Sequence, residues 1–205
     1  KINFNLIKEK KKFIFTTRAI TISGLVYGSI DKLVIGSFIG FGILGNYSLG
    51  LQFYSLLNLL PTMIVKYFIG QDISGIPNKK LRKMVVLIAI GIAILGSTIG
   101  PTIVSYVFPK FTESENIVQI ISWTLVPAVI QATYYFPKLW AAEKNNIILI
   151  TTIIAAITQI IGILVLGTTF GAVGIAISMV LSNVISLIFT ATISKFYLKS
   201  NSINK

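Results

Sequence analysis

The sequence predicts an all-α, polytopic membrane protein with six transmembrane helices, and three observations carry that prediction. Of 205 residues, 54% are hydrophobic and only 12% charged, with a mean hydropathy of +0.84, whereas a soluble domain carries about 25% charged residues. Six apolar stretches, residues 18–39, 43–70, 84–108, 117–140, 147–166 and 171–193, each reach the ~20 residues that a helix needs to cross a hydrocarbon core about 30 Å thick. Most of the Lys and Arg residues fall outside these stretches, in the two tails and on alternate connections.

Positively charged loops stay on the cytoplasmic side of a membrane. Lys1, Lys8, Lys10, Lys11, Lys12 and Arg18 lead into the first stretch; Lys79, Lys80, Arg82 and Lys83 occupy the second connection, Lys144 the fourth, and Lys195, Lys199 and Lys205 the C-terminal tail. If six helices alternate, all four segments share one side. The other connections, Gly40-Phe41-Gly42, 109–116 and 167–170, carry one cation, Lys110, against two anions, Glu113 and Glu115. Both termini are therefore expected in the cytoplasm, in a multi-pass protein of the plasma (inner) membrane. Residues 1–17 form a basic cytoplasmic segment, 18–197 the membrane lobe and 198–205 a cytoplasmic tail.

The net charge of +12 then faces an anionic inner leaflet, which attracts about 1 kcal/mol per Lys or Arg near its surface, and no nucleic-acid partner is expected. Tyr47, Tyr106, Phe108, Phe111 and Phe170 fall at expected outer ends, and Tyr67, Phe68, Tyr134, Tyr135, Trp140 and Tyr197 at inner ends, as in an interfacial aromatic belt. Runs such as Ile147-Ile148-Leu149-Ile150 lack the apolar/polar alternation of a barrel strand.

Cysteine and histidine are both absent, which removes thiol nucleophiles, disulfides, the usual zinc ligand sets and Ser-His-Asp triads. The six acidic residues, Glu9, Asp31, Asp72, Glu113, Glu115 and Glu143, offer little from which to build a carboxylate magnesium site. The chain is expected to be no enzyme, with no catalytic residues, bound metal or cofactor, and transport is the favoured class.

Within the spans, Gly24 and Gly28, Gly36 and Gly40, and Gly96 and Gly100 repeat at four-residue spacing, which lets helix backbones approach closely in lipid. Pro61, Pro101 and Pro127 each free a carbonyl inside a span and are hinge candidates. Asp31 is the outstanding charge. Counted from Arg18 it lies about 20 Å along its helix, where an ionised group costs at least about 2.5–3.5 kcal/mol. It faces an internal aqueous cavity, or serves a structural salt bridge or a break in the helix near Gly28. Arg18 and Lys32, fourteen residues apart, fall on nearly the same helical face and form a cationic stripe. Lys66 and Lys138 snorkel toward the interface or line a cavity. The uncharged Asn46, Gln52, Asn58, Gln119, Gln131, Gln159 and Asn183 suit a sugar or a neighbouring helix equally. Arg18, Asp31 and Lys32 thus head the candidate site, followed by Lys66, Asn58, Gln131 and Lys138.

The order of short motifs resembles the C-terminal half of polysaccharide flippases in the multidrug, oligosaccharidyl-lipid and polysaccharide exporter superfamily. The matching stretches are Asp31-Lys32-Leu33-Val34-Ile35-Gly36, Gly42-Ile43-Leu44-Gly45-Asn46-Tyr47-Ser48-Leu49-Gly50, Pro61 followed by the basic loop, Ala141-Ala142-Glu143-Lys144-Asn145 and Gly171-Ala172-Val173-Gly174-Ile175-Ala176. Phe108-Pro109-Lys110-Phe111 departs from the family, which often has glycine after that phenylalanine.

The resemblance implies one six-helix lobe of a two-lobe transporter, the lobes related by a pseudo-two-fold along the membrane normal. Because the chain opens on Lys1 and not Met, an N-terminal transmembrane half is expected as its partner. Such proteins carry a lipid-linked oligosaccharide across the bilayer by alternating access, often coupled to an ion gradient, with H+ or Na+ as the candidate ion here. Arg18 and Lys32 would then supply positive potential toward the phosphates, while Asp31 holds those cations or exchanges the ion. Alternatives are a drug or small-molecule exporter of the same superfamily, a membrane-embedded glycan polymerase or transferase, and a structural membrane subunit.

Overall fold

The computed structural model describes residues 11–74, 78–111 and 113–203. Most of the expected basic segment, residues 1–10, lies outside them, as do the last two residues of the tail. The side chains of Lys11, Lys12, Pro61 and Lys199 and the surroundings of Gly24 are also outside the description.

Among the described residues no strand is present, and the chain forms six helical rods. These are α1 (Lys11–Phe38), α2 (Phe41–Ile73), α3 (Lys79–Val107), α4 (Ser114–Ala141), α5 (Asn145–Gly162) and α6 (Thr168–Ile203). Each of the six apolar stretches falls on one rod, five of them to within a residue at the ends, while 147–166 runs past α5 into a π turn at Ile163–Gly167. Among the described residues four helical segments are long and apolar enough to cross a membrane: Phe15–Phe38, Lys79–Val107, Ser114–Ala141 and Asn145–Lys195. They mark a membrane-embedded protein. The last of these is 51 residues long and turns back on itself at Gly171, whose φ of 57° and ψ of −134° interrupt the helix. The 33-residue α2 is punctuated by Asn46, Gln52, Asn58 and Lys66.

The turns follow from local chemistry. After α1, Gly40 adopts φ +135° and its N–H returns to the Ile35 carbonyl at 2.9 Å. Asn78 caps α3 by accepting the Leu81 N–H at 3.0 Å. Between α4 and α5 Glu143 takes the left-handed position (φ 54°), while the N–H groups of Lys144 and Glu143 reach the carbonyls of Leu139 (2.8 Å) and Trp140 (3.0 Å). That pair of bonds is a Schellman cap in a position that usually needs glycine. At the α5–α6 turn a Cβ on Gly174 would stand 1.9 Å from the Leu166 carbonyl oxygen, so only glycine lets the two arms cross.

α4 is irregular, with a 3-10 turn at Ser122–Thr124 and a π turn at Gln131–Tyr135. Proline lacks the N–H that the carbonyl four residues earlier would receive, and Pro127 and Pro137 stand four residues after Trp123 and Thr133. The freed Thr133 carbonyl accepts a hydrogen bond from the Arg82 guanidinium, which also lies 5.2 Å from the Phe68 ring centre and 6.0 Å from that of Tyr134. Arg82 is only 2% exposed, which corrects its expected place in a basic loop against the inner leaflet. Lys79, Lys80 and Lys83 are exposed, but α3 has already begun at Lys79, so residue 82 sits on the face turned toward α2 and α4. Pro101, by contrast, lies inside an α3 that continues to Val107.

Three apolar clusters hold the rods together. Ile35, Tyr47, Ile117, Ile121, Ile163 and Ile175 join α1, α2, α4 and α6; Phe68, Val85, Ala89, Leu125 and Val129 join α2, α3 and α4; Leu139, Ile147 and Ile148 close the end near the α4–α5 turn. Tyr47 and Phe68 are wholly buried, so both leave the expected aromatic belt for the core, whereas Tyr106 and Phe170 are exposed. Of the paired glycines, Gly96 and Gly100 do serve close packing: a Cβ on Gly100 would meet Val118 at 2.7 Å and Phe53 at 2.8 Å. Nothing lies within 4 Å of a Cβ on Gly28 or Gly40.

One face of α6 carries a hydroxyl at every fourth residue, Ser178, Ser182, Ser186, Thr190 and Ser194, all buried. Gln131 on α4 donates to Ser186 Oγ at 3.0 Å and Thr190 Oγ1 at 2.7 Å, and Thr190 bonds Thr151 of α5 at 3.2 Å. Gln131, a candidate site residue, is thus a clamp between helices.

Gly174→Ala is expected to destabilise the bundle by about 1–3 kcal/mol, because the clash is with backbone and not with a flexible side chain. Glu143→Gly should stabilise it by up to about 1 kcal/mol by relieving a left-handed non-glycine residue. Thermal unfolding of the two variants in detergent micelles, compared with the parent, checks both signs.

Candidate functional site

A cavity of about 320 Å³ opens between α1, α2, α5 and α6, lined by Gly28, Asp31, Lys32, Tyr47, Ser48, Leu51, Gln52, Tyr54, Ser55, Gln159 and Met179. It is the place where the buried acid of α1 meets the polar residues of α2. Asp31 is 6% exposed. Its Oδ2 accepts the Tyr47 hydroxyl at 2.6 Å and its Oδ1 accepts the Lys32 backbone N–H at 2.7 Å. A phenol and a peptide N–H stabilise a carboxylate without supplying a counter-charge, and no ion pair to Asp31 occurs among the described residues. Of the three roles expected for Asp31, a place on an internal cavity is the one its surroundings match. α1 remains helical from Gly28 through Asp31.

The hairpin geometry brings acid and phenol together. Asp31 lies nine residues before Gly40 and Tyr47 seven after it, so each stands about 10–14 Å from the turn along its own helix. Tyr47 Oη also lies 4.0 Å from Met179 Sδ on α6, which closes one wall.

Gln159 forms the opposite wall and is 2% exposed. Its Oε1 is hydrogen-bonded to Ser182 Oγ at 2.7 Å, while its Nε2 has no partner. A buried amide group left without a partner costs about 1–3 kcal/mol, so this is a polar atom waiting for one.

Lys32 is exposed and lines the cavity. It also lines a second, mainly apolar groove of about 470 Å³, formed with Ser29, Leu33, Gly36, Ser37, Phe41 and Leu44. The cavity therefore unites Asp31 and Lys32 but not Arg18, which is exposed on α1 about 21 Å away along the helix axis. Asn58 is half-buried, Lys66 and Lys138 are exposed, and none of the three lines the cavity.

Tyr47, assigned by its position to the belt, and Gln159, one of seven uncharged polar residues in the spans, are the site residues that sequence reasoning missed. The near-equal distance of Asp31 and Tyr47 from the Gly40 turn was the available signal.

Tyr47→Phe removes the only side-chain donor to Asp31 among the described residues and is expected to cost about 1–3 kcal/mol, read as a lower unfolding temperature in micelles. Asp31→Ala combined with Tyr47→Phe should cost less than the sum of the two single changes, because both remove the same bond. Compared with protein-family models, curated proteins and solved structures, the chain matches none.

Proposed function

We propose that this chain is one lobe of a membrane exporter that moves a lipid-linked oligosaccharide across the bilayer by alternating access, for cell-surface polysaccharide or glycan biosynthesis. All six rods cross the membrane in this proposal, with both termini cytoplasmic, in the plasma membrane.

The observation that carries it is a contrast between exposed faces. The outer faces of α3, α5 and α6 present Leu87, Ile94, Leu95, Ile99, Ile103, Ile150, Ile153, Ile157, Ile161, Leu181, Ile185 and Ile188, the surface expected against lipid. The exposed positions of α1 and α2 mix apolar side chains such as Ile22, Leu33, Leu56 and Met63 with Arg18, Thr21, Ser29, Lys32, Gln52, Ser55, Thr62 and Lys66. Charged side chains in a bilayer face protein or a water-filled cavity, so the α1–α2 face is suited to water shared with a second lobe. A sugar-pyrophosphate head needs such a hydrated, cationic route through about 30 Å of hydrocarbon. The resemblance of the Asp31–Gly36 and Gly42–Gly50 motifs to polysaccharide flippases supports the same substrate class.

Lys32 and Arg18 supply positive potential toward the phosphates, and Asp31, which makes no ion pair among the described residues, exchanges the coupling ion. Asp31→Asn should therefore abolish or uncouple transport with expression unchanged. The measurement is export of a lipid-linked oligosaccharide by the full transporter in proteoliposomes with and without an imposed H+ or Na+ gradient. Unchanged gradient-driven export in that variant would overturn the role of Asp31, and competition by organic cations would favour a small-molecule exporter.

A further inference from the structure

α4 belongs to two packing units that meet at one irregular turn. Before the turn, Leu125 and Val129 sit in the cluster shared with α2 and α3, and Gln131 is bonded to Ser186 and Thr190 of α6. After it, the segment Phe136–Ala141 joins a different cluster. Leu139, wholly buried, packs there with Ile147 and Ile148 of α5, against which Ile20 of α1 and Ile193 of α6 also rest. The rings of Phe136 and Trp140 lie 5.7 Å apart, so the short segment is stiffened within itself.

The join is the π turn Gln131–Tyr135. Tyr135 stands at φ −112°, well away from the ~−63° of a regular helix, and Pro137 in the first turn of the segment has no N–H to return across the join. Prolines and π turns are the places where helices bend sharply, and π turns gather at functional positions. The Arg82 guanidinium reaches into this turn from α3 to donate to the Thr133 carbonyl, steadied by the rings of Phe68 on α2 and Tyr134 on α4. A backbone N–H at position 137 would answer the same carbonyl, and proline removes it, so the bond depends on the arginine.

We propose that the π turn of α4 is a pivot for the inner segment Phe136–Ala141, and that Arg82 is the latch that holds the segment closed over that end of the bundle. Release of the Thr133 carbonyl lets the segment tilt away from Ile20 and Ile193 and admits water where Leu139 is now enclosed. α4 supplies none of the lining of the Asp31 cavity, so this moving part is separate from the candidate site, and it opens one end of the bundle whatever the chain carries.

The test is a pair of spin-label distances in the full chain in micelles, for which the absence of native cysteine leaves no background. The inner pair is Ala141→Cys with Lys80→Cys, and the outer pair is Gln119→Cys with Ile103→Cys, all four exposed positions. Ala141 lies about 9 Å beyond Tyr135, so a change of about 20° at the turn displaces it by about 3 Å. Arg82→Gln should add a second inner distance displaced by about that amount or more, with the outer distance unchanged. Arg82→Lys, which keeps a charged donor, should stay at the parent distance. Adding Pro137→Ala to Arg82→Gln should restore the single inner distance, because residue 137 then gives its N–H to Thr133; a side chain that only filled space would not be replaced by a backbone amide.

An unchanged inner distance in Arg82→Gln would overturn the latch, and a change in both pairs would overturn a pivot confined to α4. A displaced distance that Pro137→Ala does not restore would overturn the Thr133 carbonyl as the point of hold. Loss of folded protein in Arg82→Gln that persists with Pro137→Ala would overturn it equally, since the double variant keeps that carbonyl bonded.

Discussion

In hydrocarbon no water is at hand to receive a hydrogen bond, so every carbonyl that a helix releases must find a donor within the protein. The bundle is arranged around one such repair. Pro137 cannot answer the Thr133 carbonyl, the helix widens into a π turn, and the guanidinium of Arg82 arrives from α3 to take the vacant position. Phe68 and Tyr134 cover that guanidinium with aromatic faces, which attract a cation when it is removed from water. α2, α3 and α4 thereby share a single polar contact inside an otherwise apolar cluster. A few residues earlier the same helix presents Gln131 to the hydroxyl face of α6, so α4 fixes both halves of the bundle through hydrogen bonds as well as through packing.

The rods were legible because twenty apolar residues have few alternatives to a helix in a membrane, and the turns because glycine marks them at Gly40 and Gly171. The burial of Asp31 followed from its depth along α1. What one sequence did not disclose is which face of a nearly uniformly apolar helix meets which neighbour. Gln131 and Gln159 are the same residue type in similar surroundings along the chain, yet one is spent in a clamp and the other ends at a cavity wall. Arg82 and Tyr47 were misplaced for a related reason. Charged and aromatic residues near span ends usually sit at the interface, and only the arrangement of α3 against α4, and of α1 against α2, drew these two inward.

The contrast between faces also assigns different work to different helices. α3, α5 and α6 combine a mainly apolar exterior with glycine or hydroxyl contacts inside, and the exposed cations Lys79, Lys80, Lys83 and Lys195 stand toward the ends of α3 and α6. α1 and α2 carry fewer buried residues and more exposed polar ones, and the cavity opens at their junction. Local stability follows local packing, and α1, which has the smallest buried share of the four candidate spans, is the least enclosed of them.

The bond between Asp31 and Tyr47 has a consequence for biosynthesis. α1 precedes the other five rods along the chain and carries an acid and a lysine side by side in its second half, a combination that on its own partitions poorly from the translocon into lipid. Its hydrogen-bonding partner is encoded only sixteen residues later, across the Gly40 turn. Insertion of the two helices together, as a closed hairpin, delivers Asp31 to the bilayer with the phenol already against it. The order of residues in the chain thus places the remedy for an awkward charge within one turn of the segment that needs it.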